Sequence, residues 1–429
     1  MYSIKTLLIK KQNWLSWDNA ARLAFFLGIF FLTLYPRYTD QLFIAACVLS
    51  LLGGKFAYRY QLLKENPLTI PTLLVILIFI IGIFYGDVSM RMRAINLGHY
   101  TKLFYILFLL HLFCDKKWRH VAENFLLWGV GLSIAGTLLY HFNCINLDGN
   151  LFFDIKLFNY RGNNVPYDTS SLFVNSLIIG PSAVFCCVLA LIRLFKQNST
   201  KLIKGINLLL LFYFVGYLFF INTERTSLLM LIAVLLFWAT KKSSWRGLLI
   251  TGCILLVVGW SAYHYSSDFR QKLGAINTRM TIAPDNNTKE SNNFASDNLR
   301  LHFLKYSFVA IEKHPIIGYG TGSFSYAYSL AGGQLINGSY AEAHNEYVSI
   351  LVQLGIIGLL IFLYWLASLL YTAFKLTEPN KSYAQLLVIS LLIFCLLGEG
   401  INWKTGLFFV AMVTIYFANA KKKMIAKTC

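Results

Sequence analysis

The chain has 429 residues, of which 57% are hydrophobic, 16% aromatic and only 13% charged, and its mean hydropathy is +0.58. Twelve bilayer crossings of about 20 residues each would occupy about 56% of such a length, whereas soluble domains are usually about 45–50% apolar; a soluble globular protein and a disordered chain are both excluded. The formal net charge of +19 raises nucleic acid as a partner, and the placement of the basic residues decides against it.

Taken in chain order, apolar runs predict helical spans near 20–36, 40–57, 67–85, 97–114, 121–142, 172–192, 203–221, 226–240, 247–264, 346–373, 383–398 and 405–420. The expected fold class is an all-α polytopic membrane protein with about 12 transmembrane helices. Every second gap is rich in Lys and Arg: Lys5, Lys10 and Lys11; Lys55, Arg59 and Lys64; Lys116, Lys117 and Arg119; Arg193, Lys196, Lys201 and Lys204; Lys241, Lys242 and Arg246; Lys375 and Lys381; and Lys421, Lys422, Lys423 and Lys427. The short alternate gaps hold only Arg37, Arg91, Arg93, Lys156, Arg161, Arg225 and Lys404. The positive-inside rule therefore places both termini in the cytoplasm. The basic excess reports topology, so the expected partners include membrane lipids and no nucleic acid. No small-residue cleavage site follows the first apolar run, which reads as an uncleaved span. Of the eight cysteines only Cys144 is expected outside, and there is no Cys-x-x-Cys spacing. No internal repeat is visible.

The domain organisation expected is helices 1 to 9 over 1–264, a long external loop over 265–345 between helices 9 and 10, and helices 10 to 12 with a cytoplasmic tail over 346–429. A shorter external segment, 143–171, carries Arg161 and Pro166. Within the long loop, the polar run from Pro284 to Asn293 reads as irregular chain. Ser296 is an expected N-cap, and Leu299 to Lys313 reads as a helix with Leu301, Leu304, Phe308 and Ile311 at helical spacing before Pro315 stops it. Long structured loops on a transmembrane bundle usually cover a site.

Several residues on that side carry the right chemistry. Arg225 lies in a gap of a few residues, on the side where the topological bias disfavours cations. A guanidinium there either anchors a headgroup, pairs with Glu224, or grips phosphate oxygens bidentately. Arg91 and Arg93 read as headgroup contacts. Arg300 falls near the start of the loop helix, where free amides and the helix dipole would reinforce an anion site. The run His314-Pro315-Ile316-Ile317-Gly318-Tyr319-Gly320 is a helix stop and a glycine turn without nucleotide-binding spacing; Gly318 and Gly320 are expected to shape backbone beneath the site. His344 stands immediately before the tenth span as a candidate base. Asn345 follows it, and Glu342 and Glu346 flank it, able to orient it, raise its pKa or serve as the base. No Asp-x-Asp pair is present to hold a metal on a sugar diphosphate, so no metal or cofactor is expected and arginines are the charge neutralisers.

Arg225-Thr226-Ser227-Leu228-Leu229 gives Arg-x-x-x-Leu, and His344-Asn345, nine residues, then Gly355-Ile356-Ile357-Gly358 gives His-Asn-x9-Gly-x-x-Gly. With the His314–Gly320 run between them, the chain resembles the O-antigen ligase family, in a superfamily shared with O-antigen polymerases and some protein O-oligosaccharyltransferases. The resemblance implies a metal-independent, inverting glycosyltransferase of the bacterial inner membrane with a periplasmic active site. Its partners would be undecaprenyl-diphosphate-linked O-antigen as donor and lipid A-core oligosaccharide as acceptor. It implies that Arg225 and Arg300 hold the diphosphate and that His344 takes the proton from the acceptor hydroxyl. An O-antigen polymerase shares these features. A transporter would be expected to show repeated halves and ionisable groups at the bilayer midplane, and neither is read here.

Overall fold

The computed structural model describes residues 16–141, 173, 176–196, 199–222, 224–242, 245–265, 295–333, 335, 343–401 and 404–421. The first 15 residues, the 143–171 segment, the 284–293 run and Glu342 lie outside them. The described residues form helices and turns, with no strand among them. In chain order the helices are α1 (Trp17–Phe31), α2 (Pro36–Leu52), α3 (Phe56–Glu65), α4 (Thr69–Ile81), α5 (Met90–Tyr100), α6 (Phe104–Leu109), α7 (Lys116–His141) and α8 (Ser176–Leu194). They continue as α9 (Lys201–Phe220), α10 (Arg225–Lys242), α11 (Trp245–Tyr265), α12 (Ala295–Lys313), α13 (Phe324–Leu330), α14 (Glu346–Lys375), α15 (Asn380–Leu397) and α16 (Thr405–Tyr416).

Five of the described helices are long and apolar enough to cross a bilayer: α7, the Leu177–Leu194 stretch of α8, α9, α14 and α15. They coincide with the spans expected at 121–142, 172–192, 203–221, 346–373 and 383–398. α10 and α11 fall on 226–240 and 247–264, and the shorter α1, α4 and α16 fall on 20–36, 67–85 and 405–420. The chain is thus an all-α membrane protein. Two expected spans take a different form. The apolar run 40–57 ends early, because Gly53, Gly54 (φ 68°) and left-handed Lys55 (φ 55°) turn the chain, and α3 leaves α2 at a bend of 116°. The run 97–114 is broken into α5, a 3-10 turn at Thr101–Leu103, α6 and a second 3-10 turn at Leu110–Phe113. Thr101 turns its hydroxyl back onto the Gly98 carbonyl at 2.8 Å, and buried Lys102 lies within electrostatic reach of Asp40 and Glu346.

α16 is the centre of the bundle, with every residue from Thr405 to Tyr416 buried; it packs on α6, α7, α8 and α15. Buried charges tie its surroundings together at the end that the positive-inside rule assigns to the cytoplasm. Glu123 on α7 is only 2% exposed. Its carboxylate accepts from Arg193 at 2.6 Å and from the Tyr416 hydroxyl at 3.1 Å, and pairs with His120 at 3.0 Å. Removing one member of such a set leaves the others desolvated and unpaired, so Glu123→Ala is expected to cost about 3 kcal/mol, read as a lower melting temperature in detergent with α-helical content retained. Asp18 plays a comparable part between α1 and α3, accepting from Lys55 at 2.7 Å and Arg59 at 3.4 Å.

A second, smaller apolar core stands apart from the bundle core. Phe303, Ala310, Tyr319, Phe324, Ala327, Tyr328, Ala343, Val348 and Val352 form it, joining α12 and α13 to the beginning of α14.

Candidate functional site

The segment after α12 returns onto α14 through an exchange of backbone hydrogen bonds. Gly355 sits inside α14 with φ 62°, ψ −166°, so the helix is broken there. In an unbroken helix the Ile356 and Ile357 amides would donate to the carbonyls of Val352 and Gln353. Here Tyr319 N–H donates to the Val352 carbonyl at 3.1 Å and Gly320 N–H to the Gln353 carbonyl at 2.7 Å. The two freed amides donate in turn to Pro315 (2.9 Å) and Ile316 (3.3 Å). These four groups, which the break would otherwise orphan in an apolar setting, are thereby satisfied. Glycine is required on both sides of this join. A Cβ on Gly355 would overlap the Ile316 carbonyl, and one on Gly318 (φ 66°) would lie 2.5 Å from the Gln353 carbonyl.

The same loop is fastened to the end of α4. Thr321 donates from its amide to the Gly82 carbonyl (2.9 Å) and from its hydroxyl to the Phe79 carbonyl (2.6 Å). The Tyr85 hydroxyl donates to the Ile317 carbonyl at 2.7 Å. Gly320 (φ 92°) passes so close to this turn that a Cβ would lie 2.5 Å from Gly86 Cα. Buried Gln353 accepts from Gly322 N–H at 2.7 Å and donates to the Ser349 hydroxyl at 3.1 Å, which accounts for an amide side chain within an apolar run. Arg93, expected as a headgroup contact, instead donates to the carbonyls of Val88 (2.7 Å) and Ile83 (2.6 Å) and closes the turn between α4 and α5. Arg91 is exposed.

His344 is one of two non-glycine residues at positive φ among the described residues (φ 48°). The left-handed region costs an ordinary residue about 1–2 kcal/mol, so its neighbours must hold it there. Asn345 caps α14, its side-chain oxygen accepting from Val348 N–H at 3.1 Å and its amide donating to the Leu396 carbonyl at 3.0 Å. Glu346 donates its backbone N–H to the Gly398 carbonyl at 3.0 Å. Its fully buried carboxylate accepts from the Tyr100 hydroxyl at 2.6 Å and from Ile401 N–H at 3.1 Å.

The half-buried His344 ring faces Phe303 of α12, with ring centroids 5.9 Å apart, and Arg300, three residues earlier on that helix, is its electrostatic neighbour. Burial and the Arg300 guanidinium push the imidazole down to about 4. It is therefore unprotonated at neutral pH. Of the roles open to Glu346, raising the pKa of the ring is not taken up: its carboxylate turns toward Tyr100 and Ile401 while desolvation and a cation act on the imidazole, and Glu342 lies outside the described residues. The α12 helix begins at Ala295, so Ser296 lies in its first turn and is not its N-cap. Arg300 is consequently past the first four free amides, and its charge acts on this site without help from the helix terminus.

Arg225 is the first residue of α10. The turn before it is shaped by Asn222, whose side-chain oxygen accepts from Glu224 N–H at 2.8 Å. A Cβ on Gly180 of α8 would lie 2.9 Å from Asn222 Nδ2 and 3.0 Å from Ser227 Cβ, so α8 and the beginning of α10 are in close contact. One turn earlier on α8, Leu177 accepts from the Thr405 hydroxyl at 3.0 Å. Thr405 begins α16 just after Ile401, the partner of Glu346. Arg225 thus stands at the same end of the bundle as His344, reached across α8 and the beginning of α16, whereas Arg300 lies within electrostatic reach of His344. Sequence reasoning missed the helix break at Gly355, the buried Tyr100–Glu346 bond and the role of Gln353. Gly-x-x-Gly in a span was a signal for the first; nothing local marks the second, which joins residues 246 positions apart.

No curated protein matches the chain. The family model described as O-antigen ligase matches residues 207–363, a stretch that holds Arg225, Arg300, the 314–320 run, His344 and Gly355. Over residues 207–363 the chain is thus similar to the O-antigen ligase family, the family its motifs resemble.

Proposed function

We propose that the protein is an O-antigen ligase that moves O-antigen polysaccharide from undecaprenyl diphosphate to lipid A-core oligosaccharide, without metal and with inversion at the anomeric carbon. The observation that carries this reading is the unprotonated His344 imidazole, facing Phe303 and within electrostatic reach of Arg300, in the family-matching segment. We adopt with it the topology of twelve crossings, cytoplasmic termini and a periplasmic site beneath the 265–345 segment.

In this reading the acceptor hydroxyl gives its proton to His344 as its oxygen attacks the anomeric carbon from the face opposite the diphosphate. The anomeric C–O bond breaks, and undecaprenyl diphosphate leaves with the electron pair. Arg300 and Arg225 stabilise the charge that builds on the leaving group, as preorganised cations do in water-poor sites. A bound diphosphate also offsets the Arg300 charge felt by the imidazole, so donor binding raises the basicity of His344 and brings it closer to the working pH, where general bases are most effective. Arg300→Lys keeps the charge and loses the planar fork. Hydrogen bonds to charged groups contribute about 1.5–3 kcal/mol, so kcat/KM should fall about 10- to 100-fold in steady-state assays.

The test is transfer by purified protein in EDTA, with undecaprenyl-diphosphate glycan as donor and lipid A-core present or absent. Glycan on lipid A-core, with the anomeric configuration inverted, supports the ligase. Lengthened lipid-linked glycan without lipid A-core assigns a polymerase, and no product under either condition overturns the transferase reading in favour of transport.

A further inference from the structure

Glu346 lies two residues from His344, is fully buried, and does not face the imidazole. Its carboxylate is taken up by the Tyr100 hydroxyl from the end of α5 and by the Ile401 amide from the connection between α15 and α16. Lys102 and Glu399 belong to the same buried cluster. A buried carboxylate is expensive unless its oxygens are satisfied, and here the donors come from two elements far apart in sequence. Together with the Asn345 bonds to Val348 and Leu396 and the Glu346 amide bond to Gly398, this pins both residues that follow left-handed His344. Strained backbone persists only where its surroundings over-determine it.

We propose that Glu346 and Tyr100 form a positioning clamp that holds His344 in its left-handed conformation, against Phe303 and within reach of Arg300. Glu346 acts through the backbone and touches no substrate. The clamp deepens the ligase reading, which supplies the role of His344, but its geometry stands independently of the reaction.

The clamp keeps the His344 ring half-buried and within reach of a cation, so loosening it should free the ring to water. The probe is diethyl pyrocarbonate, which modifies unprotonated imidazole; the rate at His344 is followed against pH by peptide mass spectrometry in Tyr100→Phe and Glu346→Gln. Tyr100→Phe is the mild variant, losing one hydroxyl, while Glu346→Gln keeps the shape and one acceptor oxygen. Both should move the reactivity midpoint up from the wild-type value and speed modification at neutral pH, and turnover should fall about tenfold, the loss of roughly one charged hydrogen bond. An unchanged midpoint and rate in both variants overturns the clamp. Complete loss of transfer in Glu346→Gln with an unaltered His344 profile also overturns it, since the carboxylate would then act on substrate. A shifted profile in a protein that transfers no glycan upholds the clamp and overturns the ligase reading instead.

Discussion

His344→Gln is expected to reduce glycan transfer by about 10²- to 10⁴-fold, the usual contribution of a positioned general base, while the protein remains folded in detergent. The imidazole is the unprotonated group set beside Arg300, and glutamine cannot take up the acceptor proton. Its volume is similar, so the contact with Phe303 is largely preserved. The effect should fall on kcat, because the donor diphosphate is held by arginines and the ring is needed only as the proton moves. Donor binding, measured with the undecaprenyl-diphosphate glycan, should change little. Near-normal turnover would remove His344 from the chemistry.

Gly355→Ala is expected to be nearly as damaging by a structural route. The residue is held at φ 62°, where alanine pays a left-handed penalty, and its Cβ would overlap the Ile316 carbonyl. Strain and overpacking together should cost on the order of 2–5 kcal/mol. Relief by a regular helix through 355 would deprive Tyr319 and Gly320 of their acceptors. The consequence is specific: α12 and α14 are registered by this join, so Arg300 and His344 separate when it fails. Thermal unfolding in detergent should show the loss of stability. Proteolytic cleavage between 314 and 322 should accelerate, while cleavage within the α7–α9 bundle stays as in the wild type.

Much of this architecture was legible because its causes are local. Apolar runs of span length mark α7, α8, α9, α14 and α15, and the short gap before Arg225 needs only the hydropathy change to be seen. The left-handed glycines at 318 and 320 follow a proline stop, which a reader of turns expects. Other features depend on distant partners. The Gly355 break answers to a loop some forty residues upstream, and the orientation of Glu346 to Tyr100. The direction of the His344 shift was open in the sequence for the same reason, since proximity along the chain offers Glu346 as its neighbour and folding supplies Arg300.

The pH dependence of kcat/KM tests the central claim most directly, because it reports the ionisation of the free enzyme's base. With the folded-state value near 4 and the unfolded value near 6.5, the unfolded chain takes up the proton first as pH falls. Stability contributed at this site therefore declines from about pH 6.5 toward 4, and the acid limb of kcat/KM should be located there with folding monitored alongside. In wild type the limb should fall near 4, in Arg300→Gln it should move upward as the neighbouring cation is removed, and in His344→Gln it should vanish with the residual rate. A limb near the ordinary histidine value that ignores Arg300, or one that survives in His344→Gln, would contradict the account.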